Sequence, residues 1–236
     1  MISRALIEIF SDPFLGENLA FRGGTALFKL HLPAVRYSED IDLVQVTPGP
    51  IGDILDALRN KLDTWFPEEP GRKMGNTMTT VTYRFNSEDE ALPMKFKIEI
   101  NCREHFTVSG FHRKDFEVNS AWFSGRTSIL TYGLNELLGT KVRALYQRRK
   151  GRDLFDLAQA LGSDDNNPQE IIGCFLSYMD HEGHKVTRRE FEKNLTAKFR
   201  DRSYREDIEP LLVEGTNWDF DKAASMVMDS LIALVP

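Results

Sequence analysis

A chain of 236 residues with 41% hydrophobic and 28% charged side chains holds enough apolar material for a sizeable buried core, which excludes a disordered protein and fits one larger domain or two small ones. A net charge of −6 excludes non-specific coating of nucleic acid, which needs a broad basic surface. Two cysteines, Cys102 and Cys174, with no CxxC pair, argue against a disulfide framework and a zinc site.

Residues 2 to 10, "ISRALIEIF", space apolar side chains at helical intervals, and "SDP" closes the segment. Glu8 and Asp12 fall where a signal peptide needs an uninterrupted apolar run, so a cytoplasmic protein with no membrane span is expected. After "FRGG", "TALFKLHL" predicts a helix with Thr25 near its N-cap and Pro33 at its end. "SEDIDLVQV" predicts a strand, and residues 51 to 66 an amphipathic helix through Ile51, Ile54, Leu55, Leu58, Leu62 and Trp65. "PEEPGRKMG" then reads as a Pro/Gly connection.

The middle of the chain predicts a β-meander. "TTVTYRF" sets Val81, Tyr83 and Phe85 on one face; "MKFKIEIN" sets Met94, Phe96, Ile98 and Ile100 on one face and Lys95, Lys97 and Glu99 on the other. From about Asn135 the pattern is helical to the end, with a basic loop at "RRKGR". These elements predict an α/β (α+β) protein: a mixed sheet with flanking helices over residues 1–130, then a helical domain over 131–236. Lys141 to Arg205 carries 14 Lys or Arg against 10 Asp or Glu, leaving 16 against 26 elsewhere. That asymmetry suits an enzyme that handles a polyanion through metal ions, although helical surfaces that simply differ in charge give the same count.

The chemistry gathers in "FRGGTALFKLHLPAVRYSEDIDLVQV". Glu39, Asp40 and Asp42 crowd one short span, and on a strand Asp40 and Asp42 share a face while Ile41 and Leu43 take the other. Two carboxylates that close raise a pKa or require a cation, and an all-oxygen pair suits Mg²⁺ or Mn²⁺. Glu99 is the best candidate for a third carboxylate from a neighbouring strand. Taken alone, an Asp-x-Asp pair is more often solvated or capping, and Glu99 beside lysines needs no special explanation. Gly23 and Gly24 let the main chain approach a ligand closely, and a helix starting at Thr25 offers free N–H groups to a phosphate. Further on, Lys141 supplies a point charge suited to phosphate, Gly151 is expected to end that helix, and Asp153 and Asp156 share a face of the next one. Helix capping or ion pairing explains Asp153 as well as catalysis does, and is the preferred reading of Asp156.

"RGGTALFKLH" followed by "RYSEDIDL" resembles the AbiEii-type nucleotidyltransferase-like toxins of bacterial abortive-infection and type IV toxin–antitoxin systems, within the DNA polymerase β-like nucleotidyltransferase superfamily. The shared pattern is GG(S/T)-x-L, then R-x-S-x-D-x-D-(L/F), then a Lys-containing helix before (K/R)-D-(L/I/F)-x-D, met here in "GTKVRALYQRRKGRDLFDLAQAL". Residues after about 165 carry no matching motif.

The resemblance implies a metal-dependent enzyme moving a nucleotide from an NTP to an acceptor hydroxyl with release of pyrophosphate. It implies a nucleotide-binding set of Gly23, Gly24, Thr25 and Ser38; Mg²⁺ (or Mn²⁺) on Asp40 and Asp42 with Glu99 as third carboxylate; and Lys141 and Asp153 supplied by the helical domain as further catalytic groups. The implied partners are NTP, the 3′ end of tRNA as acceptor, and a cognate antitoxin that relieves the block on translation. Transfer to a small molecule, nucleotidylation or phosphorylation of a protein, and a non-catalytic nucleotide-binding module are the competing expectations.

Overall fold

The apolar spacing of the first ten residues produces the helix it predicts. In the computed structural model, which describes residues 1–38, 40–87 and 91–236, α1 (Ile2–Ser11) buries Ala5, Leu6, Ile9 and Phe10. Asp12 then starts α2 (Pro13–Asn18): its carboxylate accepts from Phe14 N at 3.0 Å and Leu15 N at 3.1 Å, with Pro13 at the first helical position. The chain continues through β1 (Leu19–Arg22), α3 (Gly23–Leu30), β2 (Asp40–Gln45) and α4 (Gly52–Leu62), whose Ile54, Leu55, Leu58 and Leu62 are buried. Five strands follow: β3 (Gly71–Met74), β4 (Met78–Asn86), β5 (Pro93–Asn101), β6 (Phe111–Asn119) and β7 (Ser124–Tyr132).

The described residues form two units, Met1–Ala26 with Ser38–Tyr132, and Leu27–Tyr37 with Gly133–Pro236. The first holds one seven-stranded mixed sheet in the order β3-β4-β5-β2-β1-β7-β6. β4 and β5 pair antiparallel, as the two alternating stretches predict, and Val81, Tyr83, Phe96, Ile98 and Ile100 are buried. Tyr83 and Phe66 stack at 4.3 Å over this layer.

A simple meander is corrected in three ways. β2 lies parallel to β5 and antiparallel to β1, so two strands from early in the chain intervene between the late ones. β3 occupies the stretch read as a connection; all four of its residues are exposed, so no alternation marks it. The β6–β7 hairpin is likewise unmarked, because β6 runs along the sheet's edge as "FHRKDFEVN" with charged residues on both faces. Met94 also leaves the apolar row, 49% exposed at the start of β5.

The second unit is helical: α5 (Leu134–Gln147), α6 (Gly151–Leu161), α7 (Pro168–His181), α8 (Arg188–Phe199), α9 (Arg202–Glu206) and α10 (Phe220–Ser230). Several of these starts have a side-chain cap. Asn167 caps α7 ahead of Pro168, Thr187 and Glu190 form a reciprocal capping box for α8, and Asp219 caps α10. α5 and α7 approach closely at Gly139, where a Cβ would stand 2.6 Å from the Cys174 Cβ and 2.9 Å from the Ile171 carbonyl. Lys198 ends α5 from outside, its ammonium donating to the carbonyls of Leu145 and Tyr146.

Candidate functional site

Strand alternation puts Ile41 and Leu43 in the core at 0% and 1% exposure and leaves Asp40 and Asp42 half-buried on the other face. The register then builds a polar row. Asp42 pairs with Glu99 of β5 on one side and with Arg22 of β1 on the other, and Asp40 pairs with Lys97. Glu99 therefore stands on an interior strand beside Asp42, not on the sheet's edge. Glu39, the remaining acidic residue of this span, lies outside the described residues.

Cations reach this row unequally. The Lys97 ammonium forms an ion pair with Asp40 Oδ1 at 3.5 Å, and that buried oxygen has no hydrogen-bond partner among the described residues. Arg22 Nη1 donates to Glu104 Oε2 at 2.7 Å. Asp40, Asp42, Lys97 and Glu99 thus share one face, with Arg22 at its margin. Among the described residues, no three His, Cys, Asp or Glu side chains converge closely enough to hold an ion by themselves.

The glycine turn closes on the same carboxylate. Gly23 has φ +79°, and a Cβ there would overlap the Asp42 carboxylate, standing 2.8 Å from its Cγ. Two requirements, the left-handed backbone and the missing side chain, both select glycine. α3 begins at Gly23, so Thr25 is inside its first turn and not at the expected N-cap. Thr25 is 1% exposed; its hydroxyl donates to the Asp40 carbonyl at 2.6 Å and pairs closely with Ser38 Oγ. Its proton is spent on holding β2, so Ser38, the more accessible of the two hydroxyls, is the donor in their contact.

Lys141 and Asp153 belong to the second unit, where they join a buried ion network. Asp153, 0% exposed, takes Lys141 Nζ at 3.0 Å and both Nε and Nη2 of Arg148 at 2.7 Å. Burial alone would raise its pKa; the Lys141 and Arg148 charges outweigh that and hold it at about 2. Asp156, also 0% exposed, receives Arg36 Nε at 2.6 Å, Arg36 Nη2 at 2.8 Å and Lys141 Nζ at 2.8 Å. The ion-pair reading of Asp156 holds. Gly151 opens α6 and does not close α5, which stops at Gln147. The basic loop is also less free than its sequence suggests: Arg148 reaches Asp153, Arg149 lies 3.6 Å from Asp201, and Lys150 3.5 Å from Asp207.

Sequence reasoning missed Arg36, Lys97 and Arg22 as partners of the acidic residues. Lys97 was legible as the residue two before Glu99 on the same strand face, and Arg36 as the arginine of R-x-S-x-D-x-D. No helix among the described residues is long and apolar enough to cross a membrane.

A family model described as "Nucleotidyl transferase AbiEii toxin, Type IV TA system" matches residues 4–226. JHP933 from Helicobacter pylori is similar in structure, with a TM-score of 0.58 at 17% identity over 98% of this chain and 89% of that one. So is MenT4, a nucleotidyltransferase toxin from Mycobacterium tuberculosis, with a TM-score of 0.58 at 15% identity over 98% of this chain and 90% of that one. At such identities the likeness speaks to the fold. No curated protein matches.

Proposed function

Because the chain belongs to the AbiEii nucleotidyl transferase toxin family and is therefore a toxin nucleotidyltransferase, we propose that it moves a nucleotide from an NTP to the 3′ end of tRNA, releasing pyrophosphate and blocking translation until a cognate antitoxin binds. The observation that carries this reading is the closure of Gly23 on Asp42, which sets a turn without side chains directly against the acidic face of β2.

Each residue of the first unit has a role under this proposal. Gly23 and Gly24 let the triphosphate come against the main chain, and Ser38, which donates to Thr25 Oγ1 in this structure, is proposed to turn its hydroxyl to the nucleotide on binding. Thr25 holds the Asp40 backbone so that both aspartates keep their facing. Asp40 and Asp42 are the ligands for Mg²⁺ or Mn²⁺. The fit is good on two grounds: the donors are all oxygen, and Asp40 Oδ1 is a buried acceptor without a hydrogen bond. One or two carboxylates suffice for such an ion, so Glu99, beside Asp42 in the register, would be a third ligand and not an essential one. When bound, the ion supplies charge for the leaving pyrophosphate and lowers the acceptor hydroxyl's pKa. Lys97 offsets the acidic face in the ion's absence.

Lys141 is the further catalytic cation proposed from the family resemblance; in the second unit its ammonium is held between Asp153 and Asp156. A carboxyl held at about 2 and closed off by two cations is a poor proton acceptor at neutral pH, which favours an organising role for Asp153. The test is induction of wild type and Asp42→Ala in bacteria followed by sequencing of tRNA 3′ ends. Added nucleotides that disappear in the variant support the proposal. Unchanged tRNA ends with undiminished toxicity reject it.

A further inference from the structure

The second unit contains an open cavity of about 190 Å³ between α6 and α10, with Ala158 and Ala223 at its base and Trp218 as a wall. That is below the roughly 300–1,000 Å³ of pockets for larger ligands, and suits one flat ring system. Trp218 is held in place, packed edge-on against Phe155 at 5.1 Å and Phe220 at 6.3 Å, so the wall is rigid. Its rim carries Gln159 and Asn217, whose carboxamides each offer a donor and an acceptor and make no side-chain hydrogen bond to other described residues. Asp219 uses Oδ1 to cap α10 through Lys222 N at 3.0 Å, which leaves its second oxygen as an acceptor. The Lys222 ammonium stands on the same rim with no ion pair among the described residues.

An aromatic wall, two carboxamides, a carboxylate acceptor and a cation together match a nucleotide. The ring suits stacking, the amides suit the edge of a base, the acceptor favours a base that presents an exocyclic amine, and the cation suits the attached phosphate. We propose that this cavity is an accessory site for one unpaired nucleobase of the RNA acceptor that carries an exocyclic amine, as adenine, cytosine and guanine do and uracil does not. The assignment of an RNA acceptor rests on the function proposed above; the base-binding property itself does not, and is measured without metal, NTP or transfer.

The full-length protein is labelled with 5-fluorotryptophan, and its three tryptophan resonances are assigned with Trp65→Phe and Trp122→Phe. Adenosine 5′-monophosphate, cytidine 5′-monophosphate, uridine 5′-monophosphate and inorganic phosphate are titrated in turn. The Trp218 resonance is expected to move with the adenine and cytosine nucleotides at millimolar concentration, several-fold more weakly with the uracil nucleotide, and not with phosphate. Asn217→Ala and Gln159→Ala, both at the rim and neither in the core, are expected to weaken the response about tenfold with the thermal midpoint unchanged. An immobile Trp218 resonance, an equal response to phosphate alone, equal affinity for the uracil nucleotide, or rim variants that bind as wild type would each overturn the assignment. Base binding with no tRNA extension in cells would sink the proposed function, and with it the RNA acceptor, and leave the cavity's base-binding property standing.

Discussion

The Arg36–Asp156 pair gives the sharpest energetic test. Asp156 is fully buried and Arg36 is 7% exposed; the guanidinium meets the carboxylate through two hydrogen bonds of 2.6 and 2.8 Å, with Lys141 on the same carboxylate. Asp156→Asn keeps the shape and removes the charge, so Arg36 remains in the interior without its counter-ion. Breaking a buried pair in this way costs about 3–5 kcal/mol. That is a large share of the roughly 5–15 kcal/mol that holds a domain folded, and for a chain of this length it lowers the melting temperature by roughly 6–20 °C. Arg36→Met with Asp156→Leu removes both charges, replaces them with apolar groups, and is expected to recover most of the loss, since Lys141 keeps Asp153. The assay is urea denaturation read by tryptophan fluorescence, with Trp218 reporting through Phe155, which adjoins Asp156 in α6. A cost below about 1 kcal/mol for Asp156→Asn, or a double variant no more stable than the sum of the single losses predicts, would refute the reasoning.

Three further outcomes follow from the site. Gly23→Ala places a Cβ on the Asp42 carboxylate and imposes a left-handed backbone costing about 1–2 kcal/mol; nucleotide transfer is expected to fall at least tenfold in a protein that still melts cooperatively, and full activity would contradict the turn's role. Thr25→Val removes the donor to the Asp40 carbonyl and is expected to cost about 1–3 kcal/mol in urea together with activity, while Thr25→Ser retains both; equal behaviour of the two variants would count against the clamp. Asp153 has a folded pKa of about 2 against an ordinary 3.8, so its stabilisation is complete above 3.8 and is lost as pH falls through about 2. The amount is about 2 kcal/mol, read as the difference between wild type and Asp153→Asn in urea midpoints at about pH 5 and about pH 2; a difference that does not narrow on acidification would argue against it.

What the sequence disclosed follows the reach of its signals. Alternation in "DIDLVQ" and "MKFKIEIN" is local, so β2, β5 and the facings of Asp40, Asp42 and Glu99 were legible. The register that sets Asp42 beside Glu99 is a property of two strands at once, and no single stretch states it. β1 and β3 are four residues each, too short for a period to declare itself, and β6 carries the charge pattern of an edge. The Gly-Gly-Thr string reads as a turn followed by a helix start, whereas the helix already begins at Gly23 and Thr25 is its third residue. Arg36 and Asp156 are 120 residues apart, and neither shows in isolation that it is buried.

Arg36 stands four positions before Asp40, yet it is secured by a residue synthesised 120 positions later. At ribosomal rates of roughly 5–20 residues per second, on the order of ten seconds separate the emergence of the two. Through that interval the polypeptide leading into the acidic strand lacks its anchor, so the order of synthesis itself postpones the moment at which a newly made toxin is complete.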